Sequence, residues 1–162
     1  DIGQKIADAF EIANSPLIIE MLVTPSKDIY VIEAVPEFGG ECLPDRLIPE
    51  RTGYNFVREA IIAVSGGKFT PPSPRPSGKS MVVRYLTGRA GTFNGADAVV
   101  ESKGLVYSKL FATRGQLLSR PATNHDRIAV VIAQGKTRCL ALANAEQAAE
   151  SLNIRIAGGK PA

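Results

Sequence analysis

Apolar residues at Ile2, Ile6, Ala9, Phe10 and Ala13 fall on one helical face, and Asn14-Ser15-Pro16 stops that helix. Leu17–Thr24 (LIIEMLVT) and Ile29–Val35 (IYVIEAV) are β-rich runs, and Pro25-Ser26-Lys27-Asp28 between them is a turn by composition. Further along, Met81–Leu86, Gly104–Ala112 and Ile128–Ala133 predict strands, and Gly88–Gly95 is turn-rich. Gly135 opens an alanine-rich helical run to Leu152, with Ala141, Ala145, Ala148, Ala149 and Leu152 on its core face. A last short strand at Ile154–Ile156 completes the pattern.

The chain has 162 residues, 44% apolar and 22% charged, enough for one domain or two small ones. No run of eighteen apolar residues exists to span a membrane, and no signal peptide opens the chain. Asp1 leads straight into the first helical pattern without Met or a cap, which predicts that the sequence continues something longer. Cys42 and Cys139 lie too far apart for a CxxC pair and lack nearby partners, so they read as buried or inert thiols in a reducing cytoplasm. His125 is the single histidine, which excludes sites that need two, and it falls in a polar stretch read as a solvated loop.

The net charge of +3 conceals an asymmetry. Residues 1–69 carry six Lys/Arg and eleven Asp/Glu, whereas residues 70–162 carry thirteen and five. The break falls at Thr70-Pro71-Pro72-Ser73-Pro74-Arg75-Pro76-Ser77-Gly78, where four prolines favour extended backbone and predict a linker. Two oppositely charged units could dock on each other, or the basic half could face anionic ligands. Its cations are scattered and its aromatics sparse, so nucleic acid is not the expected partner.

If the two first strands close symmetrically about their turn, Thr24 faces Ile29, Leu22 faces Val31 and Glu20 faces Glu33. The glutamates then form a cross-strand pair about 5 Å apart at Cβ, among Ile18, Leu22, Val31 and Val35. Two opposed carboxylates repel, and three things could compensate. A divalent cation such as Mg²⁺ or Mn²⁺ takes one or two protein carboxylates plus phosphate oxygens. The pair could instead divide acid and base roles, or pair with Lys or Arg from a missing segment. A register slip of one residue would destroy the arrangement.

Residues 17–40, LIIEMLVTPSKDIYVIEAVPEFGG, resemble the last part of the ATP-grasp domain. In that family an acidic residue on one strand and a Glu on the next hold Mg²⁺ against ATP phosphates, here Glu20 and Glu33. Thr52-Gly53-Tyr54-Asn55-Phe56-Val57 and the following Arg58–Val64 resemble the family's helix after its Gly-rich turn. Residues 79–157 are more loosely similar to the small C-terminal domain of carboxylate–amine ligases and biotin-carboxylase-like enzymes. The resemblance implies an α+β fold: the C-terminal part of an ATP-grasp domain over 1–69, a Pro-rich linker at 70–78 and a small α+β domain over 79–162. It implies an ATP-dependent ligase that makes an acyl phosphate from a small carboxylate for attack by an amine or similar nucleophile. The adenine pocket and phosphate-binding lysines would belong to a missing N-terminal half of the same protein, leaving these residues inactive alone.

Two positions depart from the family pattern. Val35 stands where a metal-binding Asn is usual, and Glu37 where many members carry Arg. These departures support an alternative, a degenerate and non-catalytic ATP-grasp-like binding module with a basic C-terminal surface. Glu37 and Glu41 are candidate replacement oxygens. Gly39-Gly40 could let main-chain N–H groups approach a phosphate or carboxylate, or could be a plain turn. Ser65-Gly66-Gly67-Lys68 misses the spacing of a phosphate loop and reads as a helix C-terminus with glycine beyond it.

Overall fold

The computed structural model describes residues 2–73, 78–98 and 102–158. They divide into two compact units, one up to Ser77 and one from Gly78. Of the Pro-rich stretch 70–78, residues 74–77 lie outside the described residues.

The first unit opens with helix α1 (Ile2–Ala9), which has no buried residue. It stops a turn earlier than the apolar spacing predicts, because Glu11 and Asn14 adopt left-handed backbone (φ 54° and 52°) and Phe10 is left 70% exposed. Strands β1 (Ile18–Val23) and β2 (Ile29–Val35) then form an isolated antiparallel hairpin. A short π-helical turn, Leu43–Leu47, runs into α2 (Ile48–Thr52), and α3 (Phe56–Val64) follows. Asn55 caps α3 by accepting the Arg58 N–H at 3.1 Å, which satisfies a main-chain donor that the helix itself cannot. Beyond α3, Gly66 takes a left-handed φ of 76° and its N–H bonds back to the Ala63 carbonyl, the C-terminus read from Ser65-Gly66-Gly67.

The second unit holds two three-stranded antiparallel sheets. One is ordered β3 (Ser80–Thr87), β7 (Arg127–Gly135), β5 (Leu105–Leu110); the other is β6 (Leu117–Leu118), β4 (Gly91–Gly95), β8 (Arg155–Ala157). Helix α4 (Arg138–Ser151) packs on the first sheet through Ala141, Asn144, Ala145 and Ala148. Small residues at this helical spacing let the helix lie close over Ala129, Val131 and Ala133. The buried Asn144 is satisfied by donating to the Gln134 carbonyl at 2.7 Å. A second cluster joins Phe93, Ala112, Leu118 and Ile128.

Gly88–Gly95 is not all turn, since its last five residues form β4, which pairs with β6 through Gly91 and Thr92 and with β8 through Thr92, Phe93 and Gly95. Glycines at both ends of that strand hide it from a composition reading. The two-residue β6 and the π-helical turn also carry no periodicity to detect. Cys139 is exposed rather than buried, Cys42 is half-buried, and neither forms a disulfide. His125 lies exposed in a short 3₁₀ turn, Asn124–Asp126, as its polar surroundings predict. No helix among the described residues is long and apolar enough to cross a membrane.

Candidate metal and phosphate site

The hairpin places Glu20 opposite Glu33. Directly opposed residues of an antiparallel pair project to the same face, so both carboxylates leave the sheet on one side. The rest of the register differs from the symmetric closure. Met21 faces Val31, Leu22 faces Tyr30 and Val23 faces Ile29. The cause is the loop. Thr24 N–H donates to the Asp28 carbonyl at 3.0 Å, and Lys27 N–H to the Thr24 carbonyl at 2.9 Å. Lys27 sits in left-handed backbone, and the Thr24 hydroxyl also accepts the Asp28 N–H. The loop therefore spans Thr24–Asp28, which pairs Val23 with Ile29 instead of Thr24. A bulge at the Glu20/Met21 step then absorbs Ile32 and restores the pairing of the glutamates.

The bulge changes the company of the acids. Tyr30, not Val31, shares the face of Leu22 and of the glutamate pair, while Val31 turns to the opposite side. Nothing in the composition marks Ile32 as a bulge, so Tyr30 is the residue that strand alternation alone misses. Glu20 and Glu33 are both exposed.

After β2 the chain turns sharply. Glu37 N–H donates to the Val35 carbonyl at 2.9 Å, and Leu43 N–H to the Gly40 carbonyl at 3.0 Å. Phe38 meets Phe56 edge-to-face, with ring centroids 6.5 Å apart, so the turn is tied to the start of α3. Gly39, Glu41 and Cys42 all have positive φ, at 77°, 61° and 63°. Left-handed backbone costs a non-glycine residue about 1–2 kcal/mol, so two in succession mark a segment held in shape by its surroundings. The two glycines separate in character. Gly39 needs its positive φ and its close approach to the Ile18 side chain, whereas a side chain at Gly40 would meet open space.

The donor set suits Mg²⁺ or Mn²⁺. Two exposed carboxylates on one face are hard oxygen donors, of which Mg²⁺ commonly takes one or two from a protein. Among the described residues no three His, Cys, Asp or Glu side chains converge to cage a metal. Glu37 and Glu41 therefore do not join the pair as a third acid, and the Val35 side chain has no atom to coordinate with.

The hairpin, Gly-rich turn and helix, followed by a small sheet-and-helix unit, recur in solved structures. The chain superposes on phosphoribosylglycinamide synthetase from Anaerococcus prevotii with a TM-score of 0.81 at 17% identity, covering 95% of this chain and 40% of that one. On L-amino acid ligase from Bacillus licheniformis the TM-score is 0.77 at 17% identity, covering 97% and 40%. On the biotin carboxylase domain of Hydrogenobacter thermophilus 2-oxoglutarate carboxylase, solved with MgADP and bicarbonate, it is 0.64 at 16% identity, covering 86% and 32%. No curated protein sequence matches. The chain has the fold of the C-terminal part of an ATP-grasp protein. Within it, residues 84–157 match the family described as L-amino acid ligase C-terminal domain 2. The chain spans about 40% of the length of the first two structures it resembles.

Proposed function

We propose that this chain is the C-terminal part of an ATP-dependent carboxylate–amine ligase, with Glu20 and Glu33 as its ligands for Mg²⁺ or Mn²⁺. The cross-strand opposition of the two glutamates carries the reading, because it sets two hard oxygen donors side by side on one exposed face, where a divalent cation would join them. The match of residues 84–157 to an L-amino acid ligase domain supports the reaction class. In such a reaction the γ-phosphoryl group passes from ATP to a carboxylate oxygen and ADP leaves. An amine then attacks the acyl carbon: the C–N bond forms, the C–O bond to the phosphate breaks with its electron pair leaving on inorganic phosphate, and the nitrogen loses a proton. The bound ion would neutralise charge on the phosphate oxygens. Gly39 and Gly40 would bring main-chain N–H groups to a phosphate or to the reacting carboxylate.

The residues divide functionally into 1–69, the linker 70–78 and 79–162. A longer parent would supply the nucleotide pocket and the strands that cover the hairpin, and these residues alone would bind ATP weakly and catalyse nothing. From the cysteine usage of the sequence, two distant thiols and no CxxC pair, we propose a reducing cytoplasm as the compartment of the parent.

Calorimetric titration of the full-length parent with MgATP tests the metal assignment. Glu20→Ala with Glu33→Ala should weaken binding at least tenfold; equal affinity in both proteins removes it. On this chain alone, Mn²⁺ should broaden the amide resonances of Met21 and Ala34 before those of the second unit.

Val35 and Glu37 favour a second reading, a non-catalytic binding module with a basic C-terminal surface. It predicts no ATP hydrolysis by the parent with any carboxylate, and salt-sensitive retention on an anionic matrix.

A further inference from the structure

Phe69 and Pro72, on the segment that leaves the first unit, help to line a mostly apolar cleft of about 250 Å³ that Tyr54, Glu59, Ala60 and Ala63 also line. This segment gains little from burial: Phe69 is 43% exposed, and Thr70 to Ser73 are all exposed. What holds it is polar and converges on one residue. The Tyr54 hydroxyl donates to the Thr70 carbonyl at 2.7 Å. The Thr70 N–H donates to the Glu59 carboxylate, also at 2.7 Å. Both main-chain groups of Thr70 are thus taken by side chains of α3 and the loop before it.

Glu59 is an unusual choice for a structural acceptor. Only 7% of it is exposed, on an otherwise apolar face shared with Ala60 and Ala63. Burying a carboxylate is costly unless it is paired and hydrogen-bonded. Arg58 supplies the charge partner and Thr70 the N–H. Burial, and after it the Glu59 charge, push the Tyr54 phenol up, so it remains a proton donor across the neutral range. The two residues after Thr70 are Pro71 and Pro72, whose rings fix φ and hold the preceding residues extended.

We propose that Tyr54 and Glu59 form a clamp on Thr70 that sets the direction in which the chain leaves the first unit, and that this clamp is releasable. It is directional because a fixed Thr70 followed by two prolines carries its orientation through Pro72. It is releasable because Thr70 to Ser73 are exposed and two side-chain hydrogen bonds, not a packed apolar seam, hold the strap. The clamp is independent of the glutamate pair on the hairpin and of the ligase reading.

Amide exchange on the full chain tests the clamp, since Thr70 contributes the last N–H before the prolines. In the wild type, Thr70 should exchange at least tenfold slower than an unstructured peptide and at least tenfold faster than Ala63 in α3. Tyr54→Phe, which keeps the ring, should speed Thr70 by roughly fivefold to tenfold, the equivalent of one neutral hydrogen bond. Glu59→Ala should speed it further. In both variants the order parameter of the Ser73 N–H, the first amide after the prolines, should fall. If Thr70 exchanges at the unstructured rate in the wild type, there is no clamp. If it exchanges together with Ala63, the strap is static. If Tyr54→Phe keeps the wild-type melting temperature and leaves both Thr70 exchange and the Ser73 order parameter unchanged, the proposal fails.

Discussion

Gly39 and Gly40 are adjacent and chemically identical, yet their environments ask different things of them. A methyl group on Gly39 would collide with Ile18 Cδ1, and the residue would also have to hold a φ of 77°. Gly39→Ala should therefore destabilise the first unit by about 1–2 kcal/mol, read as a lower denaturation midpoint in urea. Gly40 has no positive φ, and a methyl group there would have no atom within 4 Å. Gly40→Ala should leave stability unchanged or raise it by about 0.5 kcal/mol, because alanine narrows the unfolded ensemble. If Gly40 serves a ligand, the same substitution should still weaken MgATP binding by the parent. A Gly40→Ala parent that binds MgATP like the wild type would leave this glycine as a plain turn residue. The contrast separates a glycine required by backbone geometry from one available for close approach, which sequence alone leaves equal.

At the scale of elements, the two strands and the turn between them were legible, but the pairing of Glu20 with Glu33 agrees with the symmetric closure only because the longer loop and the bulge shift the register by compensating amounts. The bulge was not legible, since Ile32 fits a strand as well as its neighbours and only the five-residue loop demands it. The α3 C-terminus was legible from its two glycines, whereas β4 was hidden because its end glycines look like turn. The clamp on Thr70 was also hidden, because a buried Glu in the first turn of a helix resembles ordinary N-terminal charge. The 3₁₀ turn at Asn124–Asp126 permits a prediction of its own. Asp126 accepts the N–H groups of Ala122 at 2.8 Å and Thr123 at 2.7 Å, and these bonds hold its carboxyl below the usual range. A lowered native pKa means that the stabilisation is complete above the unfolded value of about 3.9 and is lost as the pH falls through the native value. Melting temperature followed from pH 7 to pH 2 should therefore drop more steeply below about pH 4 in the wild type than in Asp126→Asn. Parallel curves would mean that the capping bonds do not survive in solution.

Across the whole molecule, apolar burial is distributed unevenly between the two units. Among the described residues the buried apolar positions of the first unit are Pro16, Pro44, Ala60 and Ala63, none of them large. The second unit buries Phe93, Leu118, Leu152 and an unbroken run from Ile128 to Ala133. The hairpin shows the reverse, with Leu22 56%, Val23 60% and Ile32 60% exposed. A two-stranded hairpin with no covering layer is marginal in water, and apolar burial is the main term favouring folding. Apart from Glu20 and Glu33, β1 and β2 carry apolar or aromatic residues on both faces, a composition suited to strands covered on both sides. Two cores of such different content should not melt together. Urea unfolding followed by amide exchange should show the β1–β2 hairpin opening first, with protection near zero. The amides of Val130 and Val131 should exchange only with the global transition of the second unit. The second unit, expressed from Gly78 onward, should keep its cooperative transition, while the hairpin should gain protection only in the full-length parent. A single transition in which Glu20 and Val131 exchange at the same rate would show that the first unit draws its stability from within these residues, and that the exposed hairpin needs no further strands.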